Sequence, residues 1–234
     1  MRKELIMKEY ENSLLFWDDW FSKQEAEKID STIEISPIED YMMKEFALNC
    51  ENVFDYGTGS GCFLFQCAQH KHIKYGLGID QSENGIRLAN ETVKLSEPSK
   101  FGNLEFKIGC EDYLSSIKSE SFDGIICSNV IDVIDHSLVE NILKEFKRIV
   151  KKDGLIFIKI NPQVDVNYIQ KSGCVEFAPN MISKDDNLRI CNYDSQYWKK
   201  MLGKYFELKY YIEFPYNGAK ELNRLFYLQN VNED

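Results

Sequence analysis

A glycine-rich stretch after a short apolar run constrains the fold of this chain more than any other feature. The stretch runs from Val53 to Gly61 and reads VFDYGTGSG. The residues ahead of the glycines predict a buried strand, and the apolar spacing after them predicts a helix. In an open parallel sheet, ligands lie at the carboxyl ends of the strands, and the first strand–turn–helix unit usually carries the glycines. The stretch therefore predicts an α/β protein with a ligand site at this turn.

Gly57, Gly59 and Gly61 give this turn two properties. A residue without a Cβ atom adopts positive φ readily, and it lets a ligand approach the backbone closely. The helix that follows offers free N–H groups to a carboxylate or a phosphate. The alternative is a tight β–α turn that needs its glycines and binds no ligand.

Strand-like and helix-like stretches alternate from about residue 50 onward. This alternation is typical of a parallel sheet with covering helices. The predicted strands are 52–56, 75–80, 104–108, 124–128 and 155–160, and the predicted helices between them are 61–70, 82–95 and 137–150. Asp153-Gly154 is expected to end the last of these helices before the fifth strand.

The two ends of the chain depart from this alternation. Residues 1–45 are helical in pattern and aromatic, and we expect a cap that Pro37 interrupts. Residues 161–192 are punctuated by proline and glycine, so we expect an insertion or lid there. Residues 193–234 predict a helix at 194–205, capped by Asp194 as Ser82 is expected to cap the helix at 82–95, and then a β-hairpin, which would give the sheet an antiparallel end. We expect one domain, with residues 46–160 as its core.

The charge balance argues against a nucleic-acid partner. The chain has 28 Lys and Arg against 38 Asp and Glu, for a formal net charge of −10. Such a field repels phosphate backbones and anionic lipid headgroups. No segment approaches the ~18 apolar residues of a membrane helix, and the first residues lack the apolar run of a signal peptide. We expect a cytoplasmic protein with no membrane partner.

The cysteine and histidine content gives no indication of a metal site. The seven cysteines are an odd number without a CxxC pair, and several lie in apolar runs, as reduced core thiols do. The three histidines show no HExxH spacing. We therefore expect neither a disulfide framework nor a bound metal.

The spacing of the glycines discriminates among ligands. A dinucleotide fingerprint requires G-x-G-x-x-G, but the third glycine falls one place early and Cys62 occupies the required position. A P-loop requires GxxxxGK[ST], and no lysine follows these glycines. The pattern that remains is D-x-G-x-G-x-G, beginning at Asp55. It resembles the first motif of class I S-adenosylmethionine-dependent methyltransferases.

Three further stretches are similar to motifs of that family, in the same order. Gly78-Ile79-Asp80-Gln81-Ser82 places an acid near the ~20 residues after the glycines that are expected of a ribose-binding carboxylate. Gly109-Cys110-Glu111-Asp112-Tyr113-Leu114 resembles a G-D-A-E-D-L-like stretch, with Cys110 in place of the first acid. Ser121-Phe122-Asp123 and the strand after it resemble the run beside the methionine part of the cofactor. Whether Glu111, Asp112 or neither reaches the adenine remains open.

The resemblance covers about residues 50–160 and implies both a fold and an activity. The implied fold is a Rossmann-like, doubly wound and mostly parallel sheet of seven strands, with an antiparallel last strand and helices on both faces. The implied activity is methyl transfer from S-adenosylmethionine to a small-molecule acceptor, leaving S-adenosylhomocysteine; whether oxygen, nitrogen or carbon is methylated stays open. The cofactor-binding residues implied are Asp55, Gly57, Thr58, Gly59, Gly61, Asp80, Gln81, Cys110, Glu111, Asp112 and Ser128.

The acceptor and the catalytic groups are less constrained by the sequence. In-line methyl transfer requires no particular catalytic residue, and His136 and Asp132 are the nearest candidates for a base by position. The acceptor pocket is expected between the N-terminal segment and the 161–192 insertion, where the candidate aromatic residues are Tyr10, Trp17, Trp20, Tyr168 and Tyr193. Ile160-Asn161-Pro162 is similar to the box of amino-methylating DNA enzymes, but it follows the fifth predicted strand and not the fourth.

Two other classes of protein remain open at this point. A nicotinamide-dependent oxidoreductase shares the fold and the ribose-binding acid, although the position of the third glycine argues against it. A non-catalytic relative would bind the cofactor or a protein partner without transferring a methyl group.

Overall fold

The central element of the computed structural model is a seven-stranded sheet. The structure describes residues 2–70, 73–216 and 220–231, so His72 and the predicted hairpin-loop residues Asn217 and Gly218 lie outside it. The strands of the sheet are β1 (Asn52–Tyr56), β2 (Tyr75–Asp80), β3 (Leu104–Ile108), β4 (Phe122–Ser128), β5 (Val150–Ile160), β9 (Glu207–Pro215) and β10 (Leu222–Gln229). Their order is β3-β2-β1-β4-β5-β10-β9.

The directions of these strands confirm the predicted fold class. β1 pairs in parallel with β2 and β4, and the parallel pairing continues to β3 on one side and β5 on the other. β10, the last strand of the chain, runs antiparallel to both β5 and β9. The strand order reverses beside β1, which places the ligand crevice of such a sheet at the carboxyl ends of β1 and β4.

Helices cover both faces of the sheet. The helices are α1 (Arg2–Ser22), α2 (Pro37–Leu48), α3 (Cys62–Ala68), α4 (Glu83–Leu95), α5 (Pro98–Phe101), α6 (Glu111–Leu114), α7 (His136–Ile149), α8 (Val166–Ser172) and α9 (Ser195–Leu202). Residues of α2, α3 and α4 pack on one face, and residues of α7 and α9 pack on the other. None of the helices in the described part of the chain is long and apolar enough to span a membrane.

The segment from 161 to 192 forms a small sheet of its own. β6 (Val175–Ala178), β7 (Met181–Lys184) and β8 (Asn187–Cys191) are antiparallel, in the order β6-β7-β8. Its inner residues, including Leu188, join the core cluster on the α7 and α9 side. This three-stranded sheet packs against α1, so the N-terminal helix and the insertion meet above the main sheet.

Local sequence explains where several helices begin. Ser82 accepts a hydrogen bond from the Gly85 N–H and caps α4, and Asp194 caps α9 through the Tyr197 N–H, both as the sequence predicts. Pro37 does not simply interrupt a helical segment. It occupies the first turn of α2, where a missing N–H costs nothing, and Ser36 caps that helix.

The end of α7 differs from the sequence prediction. Asp153-Gly154 does not terminate this helix, because α7 ends at Ile149 and β5 begins at once with Val150. Asp153 lies inside β5 with a φ of +61°, and its N–H donates to the Asn230 carbonyl. The two residues therefore form an irregularity in the strand, where its pairing with β4 also shifts register.

A buried ion pair joins α2 to the main sheet. Lys159 of β5 and Glu39 of α2 are both almost fully buried, and Lys159 Nζ lies 3.6 Å from Glu39 Oε1. The ammonium also contacts the Tyr216 hydroxyl and lies over the Phe63 ring. Burial raises the pKa of Glu39 and lowers the pKa of Lys159, and each partner's charge opposes the other's shift.

Replacing Lys159 with Met is expected to lower the free energy of unfolding by about 3–5 kcal/mol, because Glu39 is left buried without a counter-charge. The loss is expected to grow between pH 5 and pH 8, since the buried Glu39 carboxyl must ionise as the pH rises. Urea unfolding measures both effects. The double variant Glu39→Gln, Lys159→Met is the control and should recover most of the stability; equal losses in single and double variants would contradict the pairing.

Candidate functional site

The glycine loop is held against the end of β2. The N–H groups of Gly57 and Thr58 both donate to the Ile79 carbonyl at 2.9 Å. Gly57, Gly59 and Gly61 have φ values of +70°, +54° and +88°, which explains the glycines conformationally. A Cβ atom at Gly57 would also lie only 2.3 Å from Val130 Cγ2. The loop therefore needs glycine for backbone conformation and for close packing.

Asp80 connects this loop to the start of α4. Its Oδ2 accepts the Gly59 N–H and its Oδ1 accepts the Ser82 N–H, both at 2.8 Å. Burial raises the pKa of the carboxyl, and the backbone donors at Ser82 and Gly59 oppose that shift. Each oxygen retains lone-pair capacity, so Asp80 can accept further hydrogen bonds from a ligand in the adjoining cavity.

Asp55 lies beneath the loop. Its side chain is 2% exposed, and its Oδ2 accepts a hydrogen bond of 2.6 Å from the Thr58 hydroxyl. Burial raises the pKa of Asp55 to about 7, with the Thr58 hydroxyl acting in the opposite direction. Asp55 and Thr58 therefore support the loop from inside and do not line the cavity above it.

A cavity of about 330 Å³ lies where the parallel strands end. Its floor is formed by residues that follow successive strands of the sheet: Gly57 and Gly59 after β1, Asp80 and Gln81 after β2, Gly109 and Cys110 after β3, Ser128 and Asn129 after β4, and Asn161 after β5. These residues come from positions over 100 apart in the sequence. The cavity thus occupies the position expected for a ligand in a sheet of this topology.

Helix α1 covers the cavity. Tyr10, Ser13, Leu14, Trp17 and Phe21 line it, and their spacing of three and four residues places them on one helical face. Gln81 Nε2 donates to the Tyr10 hydroxyl at 3.0 Å, and burial raises the pKa of Tyr10 to about 12. The tyrosine therefore stays protonated at neutral pH.

Asp18 secures the other end of α1 to the start of α4. Its Oδ1 accepts hydrogen bonds from the Ser82 hydroxyl and the Asn84 N–H, and its Oδ2 accepts one from Asn84 Nδ2. These donors lower the pKa of the Asp18 carboxyl, the Asn84 N–H most of all. An acid at the N-terminus of a helix also interacts favourably with the helix dipole. A cofactor that occupies this cavity would be enclosed by α1.

Polar groups at the ends of β4 and β5 form a connected network. Asp132 is fully buried, and its Oδ2 accepts both the backbone N–H and the Nδ2 of Asn161. Asn161 Oδ1 in turn accepts from Asn129 Nδ2 at 3.0 Å, and the Asn161 carbonyl accepts from Arg224 Nε. This network orients Asn129 so that its amide nitrogen is already engaged.

Two polar atoms at this wall have no hydrogen-bond partner among the described residues. They are Ser128 Oγ and Asn129 Oδ1, both buried and both on residues that line the cavity. An unpaired buried polar atom costs about 1–3 kcal/mol, so a ligand that supplies the missing partner gains from binding here. The site therefore fits a ligand with its own donors and acceptors.

The two candidate bases do not lie in the cavity wall. Asp132 is committed to the Asn161 network. His136 contacts the Tyr197 hydroxyl through Nε2, and its ring packs against Tyr193 and Trp198. Burial lowers the pKa of His136, so the ring is neutral at pH 7. Both side chains therefore make contacts that hold neighbouring segments together, and we assign neither of them a catalytic role.

The structure brings together six of the eleven predicted cofactor residues at the cavity. Gly57, Gly59, Asp80, Gln81, Cys110 and Ser128 line it. Asp55, Thr58 and Gly61 lie in or under the loop without reaching the cavity. Glu111 and Asp112 begin the short helix α6 and are not part of the wall, which instead contains Gly109 and Cys110.

Some of the aromatic residues proposed for the acceptor pocket line the cavity and others do not. Tyr10 and Trp17 line the cavity. Trp20 and Tyr168 are 45% and 44% exposed, and Tyr193 stacks on Tyr197 away from the cavity.

Sequence analysis missed several residues of the wall, above all Asn129, Asn161 and Arg189. Asn129 directly follows the fourth-strand motif, so its position was available as a signal. The sequence marks Asn161 only through the similarity of Ile160-Asn161-Pro162 to the box of amino-methylating DNA enzymes. Arg189 lies in the insertion, where no motif marks it, and only the packing of β8 on α1 brings it to the cavity.

Comparisons with known proteins agree with this geometry. A family model described as a methyltransferase domain matches residues 49–208, more than half of the chain. The protein-lysine N-methyltransferase EFM4 of Saccharomyces cerevisiae is 29% identical over 154 residues, covering 60% of this chain and 62% of that protein. The chain thus matches less than two thirds of that relative's length.

Solved structures show the same fold at low sequence identity. A S-adenosylmethionine-dependent methyltransferase from Methanosarcina mazei has a TM-score of 0.65 at 19% identity, covering 86% of this chain and all of that one. The N-methyltransferase NodS of Bradyrhizobium japonicum has a TM-score of 0.60 at 14% identity, covering 83% of this chain and 96% of that one. Neither is a nicotinamide-dependent oxidoreductase by name.

Replacing Asp55 with Asn is expected to change how stability depends on pH. The folded-state pKa of about 7 lies above the ordinary pKa of an aspartate, so as the pH rises toward 7 the unfolded chain ionises at Asp55 while the native state keeps the proton, and the native state loses stability. The variant lacks this cost, so its stability relative to the native protein should improve from pH 4 to pH 7, by at most about 1.4 kcal/mol per pH unit. Thermal unfolding of both proteins at pH 4, 5.5, 7 and 8 measures this change in relative stability. A pH-independent difference would contradict the raised pKa.

Proposed function

This chain belongs to the family of S-adenosylmethionine-dependent methyltransferases, and on that premise we propose that its cavity holds S-adenosylmethionine beside a small-molecule methyl acceptor. One observation carries the proposal. Asp80 lies on the cavity wall with both oxygens positioned by backbone N–H groups of the glycine loop and of α4. A carboxylate held in this way is suited to accept the two hydroxyl groups of a ribose.

The other walls suit the remaining parts of the cofactor. Gly57 and Gly59 present backbone without side chains, which permits close approach of the ligand. Gly109 and Cys110 would contact the adenine. Ser128 and Asn129 would contact the amino-acid part, which would provide hydrogen-bond partners for their two unpaired oxygens. Glu111 and Asp112 stay outside the wall, so we propose that the adenine is bound through the backbone and thiol of Gly109-Cys110.

The bound cofactor supplies an electrophilic methyl group on a sulfonium. The residues of this chain contribute by positioning and by excluding water, the two requirements of an in-line displacement. Tyr10, Trp17 and Phe21 of α1 close the cavity from above, and Val130 and Ile134 provide apolar surface beside the end of β4. Asp80 is the one carboxyl group of the described wall and is assigned to the ribose, so we propose no catalytic side chain.

We propose a small molecule as the acceptor because the cavity is covered by α1 and by the three-stranded sheet. A compact, partly apolar compound fits such an enclosure, whereas an extended polypeptide would have to displace part of it. A protein lysine is the second candidate, favoured by the similarity to a protein-lysine N-methyltransferase. The two candidates differ in the size of substrate that must reach the cofactor.

Asp80→Asn is expected to weaken S-adenosylhomocysteine binding by about 1.5–3 kcal/mol, because charge-assisted hydrogen bonds are lost. That is about a tenfold to 150-fold increase in Kd, measured by isothermal titration calorimetry. Asp112→Asn, which removes an exposed carboxyl outside the wall, is the matched control and should bind as the native protein does. NADH and ATP are expected to bind neither the native protein nor the two variants. Equal affinity in the native protein and Asp80→Asn would remove the main support for this site.

The two acceptor candidates are separated by turnover. Formation of S-adenosylhomocysteine is measured with a panel of small amines, phenols and carboxylic acids, beside lysine-containing peptides. Small acceptors are expected to give turnover that rises with acceptor concentration, and the peptides are expected to give none above background. Faster turnover of a peptide than of every small compound would favour the protein-lysine activity instead.

A further inference from the structure

We propose that Arg189 is an anion-binding residue that selects acceptors carrying a carboxylate or a phosphate; this inference rests on the proposed function and specifies its substrate class. Arg189 belongs to β8 of the three-stranded sheet and lines the cavity. Among the described residues of the cavity wall it is the only cation. The other formally charged residue of the described wall is Asp80, which accepts hydrogen bonds from the N–H groups of Gly59 and Ser82.

The position of β8 brings the insertion close to the segment that follows β4. The Cys191 N–H donates to the Asp132 carbonyl at 2.6 Å, and Cys191 Sγ contacts the Ile134 carbonyl at 3.3 Å. This end of β8 is therefore anchored to the segment that follows β4. Arg189 lies at an irregularity of β8, where Ile190 pairs with Ile182 and Leu188 with Ser183, so Arg189 has no partner residue on β7.

The guanidinium is held by an aromatic ring and not by an acid. Arg189 Cζ lies 3.8 Å from the centroid of the Phe16 ring on α1. No ion pair or hydrogen bond joins the Arg189 side chain to any other residue in the part of the chain that the structure describes. Its five N–H donors remain available for a ligand.

This arrangement suits an anion in particular. A guanidinium presents parallel N–H groups that match the two oxygens of a carboxylate or phosphate, and stacking on a ring keeps the plane fixed. The partly buried cavity screens this attraction less than open water does. A cationic lysine side chain, by contrast, would be repelled by Arg189. The site therefore favours acidic small molecules over the second acceptor candidate.

The cofactor also carries a carboxylate, and the test must separate the two. If Arg189 bound the amino-acid end of the cofactor, its removal would weaken S-adenosylhomocysteine binding. If it binds the acceptor, its removal leaves that affinity unchanged and reduces only the preference for anionic acceptors. The two assignments thus predict different affinities of the Arg189 variant for S-adenosylhomocysteine, and this affinity can be measured without knowing the natural acceptor.

The experiment uses the full chain saturated with S-adenosylhomocysteine and matched pairs of probes. Phenylacetate is compared with phenylacetamide, and phenyl phosphate with phenol, by isothermal titration calorimetry or ligand-observed NMR. We expect at least one anion to bind ten times more tightly than its neutral partner, and the carboxylate and phosphate pairs show which anion is preferred. Arg189→Gln is expected to remove this preference while changing the Kd of S-adenosylhomocysteine less than twofold.

Three further variants control for structural effects. Arg189→Lys keeps the charge but loses the fork of donors, so it should retain part of the preference. Phe16→Leu removes the stacked ring and should lower the preference while Arg189 remains. Arg87→Gln removes an exposed cation that pairs with Glu91 on α4, and should have no effect.

Several outcomes would overturn the assignment. They are equal binding of anions and neutral partners by the native protein, no binding of any anion, a preference that survives in Arg189→Gln, or a large loss of S-adenosylhomocysteine affinity in that variant. Failure of the proposed function is a distinct result. In that case the native protein itself would not bind S-adenosylhomocysteine, whatever residue stands at position 189.

Discussion

The parallel pairing of β1 with β2 is the interaction on which the site depends. It brings the Ile79 carbonyl to the N–H groups of Gly57 and Thr58, and it sets Asp80 beside the turn that follows β1. Without this register the Asp80 carboxylate would not meet the Gly59 N–H. The hydrogen bonds that shape the loop therefore also place the Asp80 carboxylate, so the fold and the candidate site share one set of contacts.

Two elements outside the parallel sheet complete the enclosure. Helix α1 is attached through Tyr10 to Gln81 and through Asp18 to the start of α4, while β8 is attached through Cys191 to the segment after β4. Each attachment is made to a segment that follows a strand of the main sheet. The cover of the cavity is thus held close to the same strand ends that form its floor.

The sequence predicted the main sheet well because its signals are local. β1, β2 and β3 end where the apolar runs end, and the caps of α4 and α9 lie at the predicted side chains. The prediction for Asp153-Gly154 was wrong, because a strand irregularity and a helix end use the same residues and only pairing with β4 and Asn230 distinguishes them. Among the candidate site residues, the glycine loop and Asp80 were recognisable from their spacing. The sequence could not show which of Cys110, Glu111 and Asp112 faces the cavity, because that depends on how the short helix α6 is oriented.

By itself, the sequence determined the class of fold, the position of the ligand turn and the kind of cofactor that the family uses, because strand patterns, positive-φ glycines and an acid at fixed spacing are properties of neighbouring residues. Only the tertiary structure decided which side chains face the cavity. Asn129 donates directly to Asn161, which the buried Asp132 holds in place, and Arg189 reaches the site because a separate sheet packs on α1. Contacts between residues far apart in the chain depend on how whole elements pack, and no local pattern encodes that packing.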